Sequence, residues 1–249
     1  MGYLRLFLAA LVVADHLTPI NWVGKWAVVV FYALSGYGIT AAFQGKYKGQ
    51  FKRFWVTRFW RLYPLYLICW LLSAVWTYQV GSFKGMGWGE PWSILMISWQ
   101  QPTPIPPAWI FTNILIGYLA ISLGLSRRPR IAFAWLALSI AAYMTGDISI
   151  ADREDYRSVF FASLPFALGA SAYWQGIVLP RTKGWDALCE ALSYPVFLSH
   201  YLIGAIASAY LGLPIGWPLF LVSLPMAFAF SWALIHCEKW MKRHAKLSP

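Results

Sequence analysis

Apolar stretches long enough to cross a bilayer recur along the whole chain, and no other feature limits its fold so strongly. A helix needs about 20 apolar residues to span ~30 Å of hydrocarbon. Backbone inside lipid must also satisfy its hydrogen bonds within the segment, which a helix does. Eight such stretches cover roughly residues 3–21, 25–43, 62–80, 108–125, 130–146, 158–179, 187–211 and 215–236. A shorter apolar piece, 92–99, has too few residues to cross alone and is expected to be re-entrant or interfacial. The expected fold class is therefore all-α: a polytopic transmembrane helix bundle of about eight spans plus one partial or re-entrant segment. Residues 1–249 are expected to form a single membrane-embedded domain. Composition agrees, because only 12% of residues are charged, about half the roughly 25% of soluble domains. The chain also has 16 Trp, a residue that collects at membrane–water interfaces.

The net charge of +11 would point to nucleic acid in a soluble protein. Here the positions of the cations explain it. With the N-terminus inside, the inner segments hold 16 of the 20 Lys and Arg: Arg5 in the N-terminal segment and the rest at 44–61, 126–130, 180–186 and 237–249. Only Lys25, Lys84, Arg153 and Arg157 fall outside, and the outer loop 147–157 carries Asp147, Asp152, Glu154 and Asp155. This is the positive-inside bias. It predicts an even span count, both termini cytoplasmic, and a multi-pass protein of the cell (inner or plasma) membrane. Membrane lipids are the expected neighbours, and no nucleic-acid partner is needed. A cleavable signal peptide is the weaker reading of the first stretch, because no A-x-A site follows and a second span begins at once. Cys69, Cys189 and Cys237 are odd in number and lack C-x-x-C spacing. They predict neither a disulfide framework nor a metal site, and are expected to be small packing residues. The QQPTPIPP run at 100–107 predicts a stiff outer loop.

Four stretches hold candidate chemistry. In RLFLAALVVADH, Arg5 and His16 are eleven residues apart. On a helix that returns His16 to within roughly 20° of Arg5 and about 16 Å further along. Arg5 then lies near the inner surface and His16 near mid-membrane, where ionisable residues usually face the bundle interior or a cavity. Asp15 points about 100° away around the helix, so it need not be a direct partner of His16. The plainer alternative is that the span ends at Asp15 and the pair is interfacial. His200, in SYPVFLSHYLIG, sits near the centre of the seventh span, six residues after Tyr194-Pro195, where proline should kink or loosen the helix. It is either functional or a buried histidine bonded to a neighbouring helix. In FKRFWVTRFWRLYP, Arg58 and Arg61 are three apart and share a helical face. Such a pair is either an anchor to anionic lipid or a bidentate phosphate clamp. In FYALSGYGIT, Ser35, Gly36 and Gly38 permit close helix approach, with Tyr37 among them. Ser35 is not in a G-x-S-x-G elbow. No P-loop, H-E-x-x-H or Rossmann glycine pattern occurs.

Together these stretches resemble the acyltransferase-3 family of integral membrane acyltransferases. Arg5 and His16 resemble its Arg-x10-His signature, and VVVFYALSGYGIT its FFxxSGF block. Arg58-Phe59-Trp60-Arg61 with Leu62-Tyr63-Pro64 is similar to its R-x-x-R and RxYP block. LSYPVFLSH resembles its late SYxxYLxH block, and Glu238-Lys239 its closing Glu-Arg/Lys. There are departures: members usually have ten spans, Trp109 is followed five residues later by Ile114 rather than Glu, and Glu238-Lys239 precedes Trp240 rather than Pro. The resemblance implies transfer of an acyl group, usually acetyl, from cytoplasmic acyl-CoA to a hydroxyl of an outer glycan or lipid-linked sugar. Acetyl-CoA would be a co-substrate, with no permanently bound cofactor. His16 would be the catalytic base, with Asp15 beside it. Arg5, Arg58 and Arg61 would bind the acyl donor, and Ser35, Tyr37, His200 and Glu238 would support. A covalent acyl-His step is the variant mechanism. A transporter or flippase would also show intramembrane His and Asp, but it usually carries an internal repeat, and none is visible here. A non-catalytic scaffold would have no need of Arg5, His16, Arg58 and Arg61 in that register.

Overall fold

The computed structural model describes residues 1–20, 22–81, 83–84, 86–88, 91–98, 102–145, 158–180 and 183–244, with side chains up to residue 237. The acidic loop expected at 147–157, Arg181, Lys246 and the side chain of Glu238 lie outside these residues. Among these residues the helices are α1 (Gly2–Leu17), α2 (Val23–Gln44), α3 (Phe51–Gln79), α4 (Ala108–Ala120), α5 (Pro129–Met144), α6 (Val159–Trp174), α7 (Trp185–Leu211) and α8 (Trp217–His244). Each matches one of the eight apolar stretches in order. Among the described residues, five helical segments are long and apolar enough to cross a membrane: Val23–Gln44, Phe51–Gln79, Ala108–Leu125, Trp185–Leu211 and Trp217–Cys237. The helices α1, α5 and α6 have 16 residues each, about 24 Å of rise.

Two boundaries differ from expectation. The first apolar stretch runs to about residue 21, but α1 stops at Leu17, with Thr18 in extended conformation (φ −121°, ψ 173°). Pro19 explains this, since the residue before a proline is driven out of the α region. The third stretch is longer than expected. The basic segment 51–61 and the span 62–80 form one unbroken helix of 29 residues, with Pro64 inside it. The piece expected at 92–99 is only a 3-10 turn, Pro91–Leu95. The Tyr66 hydroxyl donates to the Ser93 carbonyl, and Trp70 Nε1 donates to Ser93 Oγ at 3.0 Å, so this turn is fastened to the side of α3.

The chain divides into two compact units. The first comprises Met1–Ala27, Phe59–Ala108 and Pro180–Pro249; the second comprises Val28–Arg58 and Trp109–Leu179. In the first, α7 packs along α1 and α8. A smaller cluster of Met86, Tyr201 and Ala205, with Trp76 and Phe83 against it, joins the 80–88 loop to α7. In the second, α5 and α6 pack together, and Ser163 of α6 meets Trp135 Nε1 at 2.7 Å and Ser139 Oγ at 3.0 Å. There too α2 meets α6 through two reciprocal glycines. A Cβ on Gly36 would run into the carbonyl of Phe166, and one on Gly169 into the carbonyl of Ala33. Small residues let helix backbones touch where apolar burial gives no net drive inside lipid. Nearby, buried Tyr32 accepts from Asn113 Nδ2 at 3.1 Å.

Gly36→Val forces these two backbones apart. Overpacking of this kind costs about 1–3 kcal/mol, so the thermal midpoint of the detergent-solubilised protein is expected to fall by several degrees. An unchanged midpoint would contradict backbone contact at Gly36.

Candidate active site

The site is built on the pairing of α1 with α7. At the start of α1, the Tyr3 amide donates to Asp186 Oδ1 at 2.8 Å. A Cβ on Gly2 would meet the Asp186 carbonyl, so the two backbones touch there. Counting the same number of residues along each helix leads from Gly2 to His16 and from Asp186 to His200. Those two rings are stacked, with centroids 5.3 Å apart and planes at 17°. Helices that rise 1.5 Å per residue and meet at both points run parallel and in step. Because α1 is short and α7 has 27 residues, His16 in the last turn of α1 lies beside the middle of α7.

Two consecutive residues of α7 line His16. His200 is fully buried. Its Nδ1 is 2.6 Å from the Phe197 carbonyl, which can only accept, so the proton sits on Nδ1. Its Nε2 is buried without a hydrogen-bond partner. Tyr201 packs beside it, with its ring centroid 4.9 Å from that of His16 and its hydroxyl 3.0 Å from His16 Nδ1. The rings of His200 and Tyr201 are themselves 4.8 Å apart. The sequence nominated the two histidines separately, and the structure brings them together.

The C-terminal carbonyls of α1 are held from several directions. Thr18 donates to the Ala14 carbonyl through both N–H (2.9 Å) and Oγ1 (2.7 Å). The Leu17 carbonyl accepts from the Gly216 amide at 2.9 Å, and the His16 carbonyl accepts from Lys84 Nζ. These contacts satisfy groups that a helix end leaves open. Lys84 stands on a left-handed backbone (φ 44°). Burial pushes its ammonium below the ordinary lysine value, and the nearby Asp15 carboxylate pulls it partly back.

Asp15 caps the next helix. Its Oδ1 accepts from the Gly24 amide at 2.9 Å, in the first turn of α2, where the preceding Trp22 has no side-chain acceptor to offer. A Cβ on Gly24 would fall 2.7 Å from the Asp15 Cβ, so glycine makes room for the carboxylate. The carboxylate also meets the positive end of the α2 dipole.

The other nominated residues sit apart from this cluster or against other partners. Arg5 is half-buried in the first turns of α1. In the first unit, the side chain of Arg61 is 55% exposed and lies 3.4 Å from Glu190 Oε1. In the second unit, the Arg58 guanidinium lies over Phe54 (5.3 Å) and Tyr118 (5.7 Å), with its Nε buried and unpartnered. Also in the second unit, Ser35 is half-buried, and the Tyr37 hydroxyl donates to the Ile177 carbonyl at 2.6 Å. Among the described residues, no group of three His, Cys, Asp or Glu is placed to hold a metal.

The profile of the acyltransferase-3 family, described as an acyltransferase domain, matches residues 1–173. The chain belongs to that family. The matched region takes in Arg5, Asp15, His16, Ser35, Tyr37, Arg58 and Arg61, whereas His200, Tyr201 and Glu238 lie beyond it. Among curated proteins, acyltransferase MdmB of Streptomyces mycarofaciens is 30% identical over 150 residues, covering 55% of this chain and 38% of that relative. The chain thus matches well under half of the relative's length. No solved structure matches. With the family shown and five helices long enough to span, this is a multi-pass membrane protein of an acyltransferase family.

Sequence reasoning missed Tyr201 and Lys84. Tyr201 directly follows His200, and adjacent helical residues point about 100° apart. Only a third ring packed against both reveals that they face one neighbour.

The cap makes a separable prediction. Asp15→Ala is expected to lower stability by about 1–2 kcal/mol, read as thermal unfolding in detergent. Asp15→Asn keeps an acceptor oxygen and should retain most of the stability. Equal midpoints for the parent and Asp15→Ala would remove Asp15 from the cap.

Proposed function

We propose that this family member is a membrane-bound O-acyltransferase. It moves an acetyl or other short acyl group from cytoplasmic acyl-CoA to a hydroxyl of an extracytoplasmic glycan or lipid-linked sugar. The observation that carries this reading is the His16 ring, set at the end of α1 against both Tyr201 and His200, in a chain of an acyltransferase family. A histidine held by ring contacts and a hydrogen bond, in the last turn of its helix, is suited to general base chemistry.

In the proposed reaction, neutral His16 takes the proton from the acceptor hydroxyl as that oxygen attacks the thioester carbonyl. The new C–O bond forms, the C–S bond breaks, and the imidazolium returns its proton to the departing CoA sulfur. Base catalysis of this kind contributes about 10²–10⁴-fold. Asp15 acts as a positioning residue by tying the end of α1 to the start of α2. Arg5, Arg58 and Arg61 are proposed to hold the donor phosphates, for which guanidinium forks are suited. For Arg58, the stacked guanidinium with its unpartnered Nε supports this role. Acyl-CoA is a co-substrate and no permanently bound cofactor is invoked. The proposed location is the cell (inner or plasma) membrane.

The test is thiol release from acetyl-CoA by purified, detergent-solubilised protein, with and without a crude glycan acceptor. Turnover by the parent, its loss in folded His16→Ala, and a several-fold higher donor KM in Arg58→Ala are expected. Folded protein that neither binds nor turns over any short-chain acyl-CoA would overturn the reading.

A further inference from the structure

We propose that Trp55 and Arg58 together form a phosphate-binding site on the first turns of α3, with the Trp55 indole N–H and the Arg58 Nε–H as its donors. Where the phosphate is that of the acyl donor, this rests on the role proposed above for Arg58, and it adds Trp55 as a second ligand. The two residues are three apart on α3 and so share a helical face. Both border the same pair of rings. The Trp55 ring lies 5.9 Å from Phe54 and 6.4 Å from Tyr118, and the Arg58 guanidinium lies 5.3 Å from Phe54 and 5.7 Å from Tyr118. Trp55 Nε1 and Arg58 Nε are each buried without a hydrogen-bond partner.

A buried N–H with no acceptor is costly, and native structures hold few of them. Two on one helical face, one of them on a guanidinium that always keeps its charge, require an acceptor that carries negative charge. The second unit offers none of its own, because its described residues contain no Asp or Glu. Its cations crowd the same stretch, with Lys46, Lys48, Lys52 and Arg53 ahead of Arg58. Arg61 differs, since it already has Glu190 as a partner. The positive potential is felt at Tyr47, whose ring lies 5.7 Å from Phe54 and 5.2 Å from Lys46 Nζ. Burial raises the Tyr47 phenol, but hydrogen bonds with Thr57 and Lys46 and the charges of Lys46 and Arg58 outweigh it and hold the phenol below the ordinary tyrosine value. A phosphate fits these donors well. Its several oxygens accept from an indole and a guanidinium at once, and bonds between charged groups are the strong ones. The Phe54 and Tyr118 rings hold the guanidinium by cation–π attraction, so its Nε edge is fixed before the ligand arrives.

The experiment uses the full-length protein, ¹⁵N-labelled on its tryptophan indoles, in phosphatidylcholine nanodiscs. The Trp55 N–H signal is assigned by its loss in Trp55→Phe, or in Trp55→Leu should the first fail to fold. Two probes are tried separately: CoA in solution, and phosphatidylglycerol built into the nanodisc. The Trp55 N–H proton should shift downfield, as it does when an anionic oxygen accepts from it, and the shift should vanish in Arg58→Ala. A response to CoA identifies the donor as the source of the phosphate, and a response to phosphatidylglycerol alone identifies a lipid headgroup. Binding of the active probe, read by calorimetry for CoA or native mass spectrometry for the lipid, should weaken in the Trp55 variant. The expected loss is about tenfold to a hundredfold, the range for a hydrogen bond to a charged group. A Trp55 signal that neither probe moves, or unweakened binding in the Trp55 variant, would overturn the inference. CoA that binds with the Trp55 signal unmoved leaves the acyl-donor reading standing and sinks this site. CoA that does not bind while phosphatidylglycerol moves the Trp55 signal does the reverse.

Discussion

The matched register of α1 and α7 is the constraint on which the site depends. Glycine and a carboxylate–amide contact fix the helices at one end, Gly2 against Asp186 and Tyr3 N–H on Asp186 Oδ1. Stacked imidazoles fix them at the other. Between these points both helices advance by the same count, so neither can slide by a residue without separating both contacts. A side chain moved by one position on a helix rotates by about 100°, which would carry His16 away from Tyr201 altogether. The length difference between the helices matters as much. A helix of 16 residues ending against the middle of one of 27 leaves a step in the bundle, and His16 stands on that step.

The step is covered by segments with little regular structure. Gly216 from the α7–α8 connection holds the Leu17 carbonyl, and Lys84 from the α3–α4 connection holds the His16 carbonyl. Met86 and Phe83 carry the same connection onto α7 beside Tyr201. Polar backbone at the end of α1 is thus satisfied by protein, which matters where water is scarce. Lys84 bridges the carbonyl of His16 and the field of Asp15, so one cation from the loop steadies two neighbouring residues of α1.

Much of this was legible in the sequence, for reasons that differ from one element to another. Each of the eight apolar stretches holds a helix among the described residues, because length and hydropathy decide helix formation in lipid. The end of α1 was misplaced because hydropathy continues through Leu17-Thr18-Pro19-Ile20 while backbone sterics stop the helix at Thr18. The continuity of α3 was hidden by its change from basic to apolar, which alters surroundings and not backbone. His16 and His200 stood out as ionisable residues in apolar runs, yet their stacking depends on a helix register that no local pattern encodes. Tyr201 was invisible for a plainer reason: an aromatic residue in an apolar helix is ordinary, and only its hydroxyl on His16 Nδ1 sets it apart. The pattern also left open what Asp15 touches, and the Gly24 amide nine residues on supplied the answer.

That last contact governs how the chain can vary. Asp15 and Gly24 are tied across the turn between α1 and α2, and the α1 side of that turn is held fast, because Ala14, Asp15, His16 and Leu17 are all engaged there. Inserting or deleting one residue between Thr18 and Trp22 would leave the apolar stretches intact and still detach the α2 cap. Loops between membrane helices usually tolerate such changes in length; this one behaves as a ruler. Chimaeras with relatives should therefore exchange residues 1–27 as one block, and a junction placed inside 18–22 would part the histidine-bearing helix from the helix it steadies.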